Sequence, residues 1–159
     1  MAVHQVRQRG SRGSAAPYDP WRDLCENWPG IQVIEEAMSG RLLGELRYPV
    51  IALRAGTTAA QRRCTLTHEI VHLERGLRDC GPWADREERQ VHAEVARRLI
   101  RTEGLARAVR NLGGTDDAGA LAQALDVDLE TLRVRLALLS GAERAYIASA
   151  SVRELWSVA

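Results

Sequence analysis

Apolar residues first recur at helical spacing after the opening 17 residues. Trp21, Leu24 and Trp28 follow this spacing and Pro29-Gly30 ends it, which predicts a short helix. Residues 1–17 carry arginines among Gln, Gly, Ser and Ala and have no apolar periodicity. We therefore expect a disordered basic tail before the folded part begins.

The next segment is rich in branched apolar residues and predicts strands. Residues 31–34 and 42–53 have this composition, while Ser39-Gly40 and Pro49 interrupt it. Short apolar runs separated by turn residues are typical of a small meander, so we expect an antiparallel sheet of two or three strands. The last strand, Val50–Leu53, leads into the first long helix.

The rest of the chain has helical periodicity, divided by Gly, Pro and acidic capping residues. The predicted helices run from about Thr58 to Gly76, from an N-cap at Asp85 to about Thr102, from a cap at 115–117 to the turn at 126–128, on through Leu139, and again after Gly141. These elements predict an α+β fold. We expect a core over residues 18–112 and a helical C-terminal subdomain over 113–159, after Gly113-Gly114.

Composition and charge limit the kinds of partner. The 159 residues are 45% apolar and 27% charged, which fits one globular domain of ordinary size. The net charge is +1, from 22 basic and 21 acidic residues, so no global field favours nucleic acid or an anionic membrane. We expect the partner to be recognised by a local surface.

Cysteine usage and apolar run lengths bear on the compartment. Cys25, Cys64 and Cys80 leave one thiol unpaired in any disulfide scheme, and no apolar segment of a signal peptide follows Met1. No run approaches the roughly 18 consecutive apolar residues of a membrane helix. We therefore expect a soluble protein in the reducing cytoplasm, without membrane contact.

The segment His68-Glu69-Ile70-Val71-His72 is an H-E-x-x-H pattern on the predicted long helix. Four residues at about 100° each bring His72 to within roughly 40° of His68, one turn along, so both imidazoles can bind one metal ion. Glu69 lies beside the first histidine, where its carboxylate can accept a proton from water. The pattern predicts a zinc site, with Glu69 as the general base.

A catalytic zinc ion normally has three protein ligands, and Glu88 is the candidate for the third. On a helical wheel Glu88 falls on the apolar stripe of Val91, Val95 and Leu99, where a buried carboxylate needs a counter-charge. His92 is one turn beyond it and is a candidate for contacting a ligand or lining the cleft. The alternative is that Glu88 is a solvated residue of the first helical turn.

Other residues compete for these roles. Cys80, beside a turn, would give a His-His-Cys site in place of Glu88, whereas Cys64 on the H-E-x-x-H helix is better explained as a small apolar filler. Glu87 and Glu94 fall about 100 to 120° from Glu88, among arginines, where a solvated face is the better account.

Two runs extend the pattern beyond the motif. They are Gln61-Arg-Arg-Cys64-Thr-Leu-Thr-His68-Glu69-Ile-Val-His72 and Glu88-x-x-Val91-His92-x-x-Val95-Ala96-x-x-Leu99-Ile100. With the strand before them, they resemble the ImmA/IrrE metallopeptidases. The family's usual E-x-x-A-N-x-F-A helix corresponds to the second run, in which Glu88 keeps the ligand position and the Ala, Asn and Phe are replaced.

The resemblance implies a zincin-like core and a function. It implies cytoplasmic regulatory proteolysis, often of a helix-turn-helix repressor or transcription factor and often on phage or mobile elements. The segment from Leu121 to Leu136 is similar to the helical part that follows the peptidase core in that family, and it also looks like a helix-turn-helix. Roughly residues 20–140 are covered.

The helix-turn-helix pattern raises the question of DNA binding. A recognition helix that begins with Asp128 and Glu130 would direct carboxylates at phosphates, and Arg133 and Arg135 offset this only in part. We therefore do not expect DNA binding. A helical part that packs on the peptidase or docks a protein substrate explains the pattern better.

Two functional hypotheses follow. The first is an intracellular zinc endopeptidase in which His68, His72 and Glu88 hold the ion, Glu69 is the base, and the substrate is a transcriptional repressor. The second is a non-catalytic regulator that binds a repressor or another partner through its helical half and has a structural metal site. A Glu69→Gln variant distinguishes the two, because only the first requires that carboxylate.

Overall fold

A computed structural model describes residues 17–76, 84–114 and 116–152, with the side chains of 151 and 152 left out. The elements are α1 (Pro20–Asn27), β1 (Gln32–Glu36), β2 (Gly44–Arg47), β3 (Val50–Arg54), α2 (Ala59–Arg75), α3 (Ala84–Leu99), α4 (Thr102–Asn111), α5 (Ala118–Ala124), α6 (Leu129–Ala137) and α7 (Gly141–Val152). The predicted α+β class is confirmed. Cys80, His4 and nearly all of the predicted tail lie outside the described residues.

The sheet is mixed, so the prediction of a wholly antiparallel sheet is wrong. Its strand order is β1-β3-β2: β3 pairs parallel with β1 and antiparallel with β2. Ile51, Ala52 and Leu53 of β3 are each 0% exposed. Because β3 is the most apolar of the three strands, the buried apolar area is greatest when it lies between the other two. The chain therefore leaves a gap between β1 and β2, and β3 fills it.

Helix α2 has the bounds that local signals predicted. Thr58 is its N-cap, and its side chain and that of Gln61 form a reciprocal capping box. Gly76 ends the helix with φ +77°, in the region that favours glycine. Leu66 and Ile70 of this helix pack with the sheet in one apolar cluster, which fixes α2 against β3.

Helix α3 starts earlier and stops earlier than predicted. Asp85 lies inside its first turn rather than at the N-cap, and the helix ends at Leu99, before a separate α4. The main chain is extended at Arg101, and the carbonyl of Ile100 accepts a hydrogen bond from Nε of Arg135 at 2.8 Å. Since this bond satisfies a buried carbonyl at the break, a distant side chain stabilises the end of α3.

The C-terminal helices pack directly on α2 and α3. Cys64 and Val95 share one apolar cluster with Leu121, Val127 and Leu132, from either side of the predicted boundary at 112/113. Two hydrogen bonds also join α2 to the segment between α5 and α6. Arg63 donates to the carbonyl of Asp126, and Sγ of Cys64 accepts from the backbone N–H of Asp128. The division into 18–112 and 113–159 stays a prediction, and any such units share a buried core.

Among the described residues, no helix combines the length and the apolar character needed to cross a membrane.

Candidate metal centre

Three side chains from α2 and α3 converge at one point. The Nε2 atoms of His68 and His72 are 3.0 Å apart. An oxygen of Glu88 lies 3.4 Å from Nε2 of His68, and its other oxygen lies 3.1 Å from Nε2 of His72. The helical spacing aligns the two histidines, and the packing of α3 on α2 supplies the carboxylate.

These distances fit a tetrahedral metal site. Four ligands at about 2.0–2.1 Å from a zinc ion are about 3.4 Å from each other. The three donor pairs, at 3.0 to 3.4 Å, are close to that separation. Two imidazoles and one carboxylate are also a ligand set that zinc accepts while keeping a position for water or substrate. The residues present therefore fit this ion.

Burial keeps His68 neutral. Loss of solvent, together with the nearby His72 and His92, lowers the pKa of His68 to about 3. A neutral imidazole has a free lone pair on one ring nitrogen, which is the form that binds a metal. His68 can therefore bind a cation at neutral pH without first losing a proton.

His92 lies next to His68. Its ring centroid is 5.0 Å from that of His68. Ligand atoms of His68, Glu88 and His92 lie within 4.8 Å of one another, so these three residues are a second, more widely spaced set of candidate metal ligands. We favour His72 over His92 as a ligand because its nitrogen is 3.0 and 3.1 Å from the other two donors. The predicted place of His92 beside the ligands stays a prediction.

Glu69 is 6% exposed and lies between α2 and β2. Burial, together with the negative charges of Glu88 and Glu45, raises its pKa to about 7. The backbone N–H of Leu46 donates to its carboxylate and opposes the rise. A carboxylate whose pKa is near 7 can both accept and release a proton at neutral pH.

Sequence reasoning missed the close contact between β2 and the helix that carries the motif. A Cβ on Gly44 would lie 2.3 Å from Cγ2 of Thr65 and 3.4 Å from an oxygen of Glu69. Glycine therefore allows β2 to lie on α2, with Leu46 beside the Glu69 carboxylate. The only local signal was a glycine within a predicted strand, which often marks close backbone approach.

The competing carboxylates on α3 have other partners. Glu87 is paired with Arg75, and Glu94 with Arg98. Cys64 is 4% exposed in the apolar core, and burial raises the pKa of its thiol to about 11. Its predicted use as an apolar filler agrees with this position, whereas the Cys80 alternative falls outside the described residues.

Comparison with known protein families gives a match. The family described as Peptidase_M78, IrrE N-terminal-like domain, matches residues 28–137, which is more than half of the chain. No curated protein and no solved structure matches significantly. The matched range contains β1 to α6, and with them His68, Glu69, His72 and Glu88 of the candidate centre.

Proposed function

Because the chain belongs to the IrrE N-terminal-like family, Peptidase_M78, we propose that it is a zinc-dependent endopeptidase. Its proposed ligands are His68, His72 and Glu88, and its proposed general base is Glu69. The observation that carries this proposal is the convergence of three donor side chains, whose nitrogen and oxygen atoms lie 3.0 to 3.4 Å apart, next to a buried carboxylate.

The proposed chemistry is hydrolysis of a peptide bond. A zinc ion, when bound, supplies Lewis acidity that polarises the scissile carbonyl and acidifies water. Glu69 takes the proton from the attacking water on one of its carboxylate oxygens and later delivers it to the amide nitrogen of the leaving group. The hydrogen bond from Leu46 keeps that carboxylate oriented while the proton moves.

Strand β2 is the proposed support for the substrate. It is an edge strand that pairs only with β3 among the described residues, so its second row of backbone groups faces away from the sheet. An extended peptide can pair with such an edge. The Leu46 contact places that edge beside Glu69.

The proposed substrate is a transcriptional repressor of the helix-turn-helix class, and the proposed location is the cytoplasm. The substrate class is what the resemblance to the ImmA/IrrE metallopeptidases implies, and the free thiols Cys25 and Cys64 agree with a reducing compartment. A direct DNA-binding role is disfavoured by one contact. Arg135 is 4% exposed and bound to Ile100 and Glu143, so its guanidinium does not face solvent where DNA would bind.

The test uses the zinc-loaded chain and a proteome-derived peptide library, with new termini identified by mass spectrometry. Wild type should produce cuts, and Glu69→Gln should reduce their rate by about 100-fold or more while zinc stays bound. Glu103→Gln, an exposed change on α4, is the matched control. Equal cutting by Glu69→Gln would remove this base from the mechanism, and no cutting by zinc-loaded wild type would favour the non-catalytic regulator.

A further inference from the structure

An open cleft of about 660 Å³ lies between α2 and α3 and does not include the candidate metal ligands. Its lining is unusually basic: it contains Arg75, Arg86, Arg89, Arg97 and Arg98, against the two carboxylates Glu74 and Glu94. Since the chain as a whole has a net charge of only +1, this surface concentrates positive charge locally.

Ion pairs hold the walls of this cleft in place. Arg98 of α3 donates to both carboxylate oxygens of Glu74 on α2, at 2.9 and 2.6 Å, and to Glu94 at 2.8 Å. At the other end, Arg75 of α2 pairs with Glu87 and Gln90 of α3. These contacts join the two helices at both ends of the cleft, so its shape exists before any ligand binds.

Three arginines of the cleft have no such partner. Arg86, Arg89 and Arg97 are exposed on α3, and no described residue forms an ion pair or side-chain hydrogen bond with them. They follow one another along one side of the helix and span roughly 16 Å at 1.5 Å per residue. Their forked donors match carboxylates.

We propose that this cleft binds an acidic segment of the protein substrate, outside the site of cleavage. The proposal rests on the proposed peptidase function. A stripe of about 16 Å corresponds to roughly five residues of extended chain, which is longer than a single small anion. Three arginines can neutralise only about three phosphates, and the net charge of +1 adds no wider positive field for a nucleic acid, so a short acidic peptide segment fits the stripe better.

The position of the cleft links it to the reaction. Arg75 follows His72 by three residues on α2, and Arg89 follows Glu88 directly on α3. A substrate anchored there is held on the same two helices that carry the candidate ligands. Such anchoring raises the effective concentration of the scissile segment without touching the reacting atoms.

The binding test uses fluorescence anisotropy with a labelled peptide of six glutamates flanked by glycines, and the matching glutamine peptide as a probe control. The protein is the zinc-loaded full chain with Glu69→Gln, so binding is read without cleavage. Replacement of Arg86, Arg89 and Arg97 by Gln should raise the Kd for the glutamate peptide about tenfold. The matched control replaces Arg22, Arg107 and Arg133, which are exposed elsewhere, and should leave it nearly unchanged.

Three results would overturn the proposal: equal binding by both triple variants, equal binding of the glutamine peptide, or displacement of the probe by a 12-nucleotide single strand that binds more tightly. The outcome is separable from that of the peptidase proposal. If zinc-loaded wild type cuts no peptide of the library, while replacement of Arg86, Arg89 and Arg97 still weakens binding of the glutamate peptide, the peptidase proposal fails and the cleft stands as a site for acidic peptides.

Discussion

A Cβ placed on Gly44 would lie 2.3 Å from Cγ2 of Thr65, so strand β2 and helix α2 touch where a side chain would otherwise separate them. This contact joins the edge strand to the helix that carries the H-E-x-x-H motif. It also allows the backbone of Leu46 to reach Glu69. The strand and the helix therefore form one unit of the candidate site.

Gly44→Ala should destabilise the protein and disturb the site together. The added methyl group must displace β2 or Thr65, and overpacking of this kind costs about 1–3 kcal/mol in the free energy of unfolding. Urea unfolding measures that cost, and kcat should fall more than KM changes, because Glu69 loses its orienting contact. Gly30→Ala meets no atom within 4 Å and should leave both unchanged. Normal stability of Gly44→Ala would contradict the close contact.

The two possible ligand trios make different predictions for zinc binding. If His72 and Glu88 are ligands, alanine at either position should remove stoichiometric zinc, measured by metal analysis after dialysis against a weak chelator. His92→Ala should retain zinc with an affinity reduced by about tenfold, as for a residue that contacts a ligand. Glu103→Ala on α4 is the control. Zinc retained by His72→Ala and lost by His92→Ala would select the other trio.

Glu143 should stabilise the fold only above acidic pH. A hydrogen bond from Arg135, assisted by the backbone of Ser140, holds the pKa of Glu143 well below its usual range. Because the folded pKa is lower than the unfolded value of about 4.3, this stabilisation is fully present above the unfolded value and is lost as pH falls toward the folded one.

Glu143→Gln should therefore unfold at lower urea concentration than wild type at pH 7, and the difference should shrink as pH falls below about 4. Glu26→Gln removes the same charge from an exposed position on α1 and should show no such trend. A difference between Glu143→Gln and wild type that stayed constant with pH would contradict the ion pair as its cause.

Arg135→Ala should be among the most destabilising single changes in the helical half. Its guanidinium binds the carbonyl of Ile100 at 2.8 Å and Oγ1 of Thr102 at 3.0 Å, and it pairs with Glu143. Removal takes the side-chain donor from the buried carbonyl of Ile100 and the charged partner from Glu143, at a cost of about 3 kcal/mol. The exposed Arg133→Ala should change the free energy of unfolding by less than about 0.5 kcal/mol. Similar thermal midpoints for the two variants would refute this role.

The helix that carries the motif could be predicted accurately because its signals are local. The hydrogen bonds of the Thr58 and Gln61 capping box, and the positive φ of Gly76, involve residues a few positions apart. The same holds for the alignment of His68 with His72. Spacing alone placed Glu88 on the side of α3 that carries the buried Val91 and Val95, but the Glu88 side chain is 46% exposed, so the expectation of a buried carboxylate is wrong.

Contacts between distant parts of the chain could not be predicted in this way. The end of α3 near Ile100 depends on Arg135, 35 residues further along, and no residue next to the break indicates it. The parallel pairing of β1 with β3 depends on which strand gains most from being central, and that is decided by burial on both sheet faces.

The sequence by itself determined the H-E-x-x-H pattern, the family resemblance and the bounds of α2, because each depends on residue identity and helical repeat. Only the tertiary structure decided that Glu88 meets the histidines at 3.1 to 3.4 Å, that β2 contacts Glu69, and that arginines of α3 line a cleft against α2. The physical reason is that these relations arise where separate elements pack, and packing depends on the burial of the whole chain rather than on any one segment.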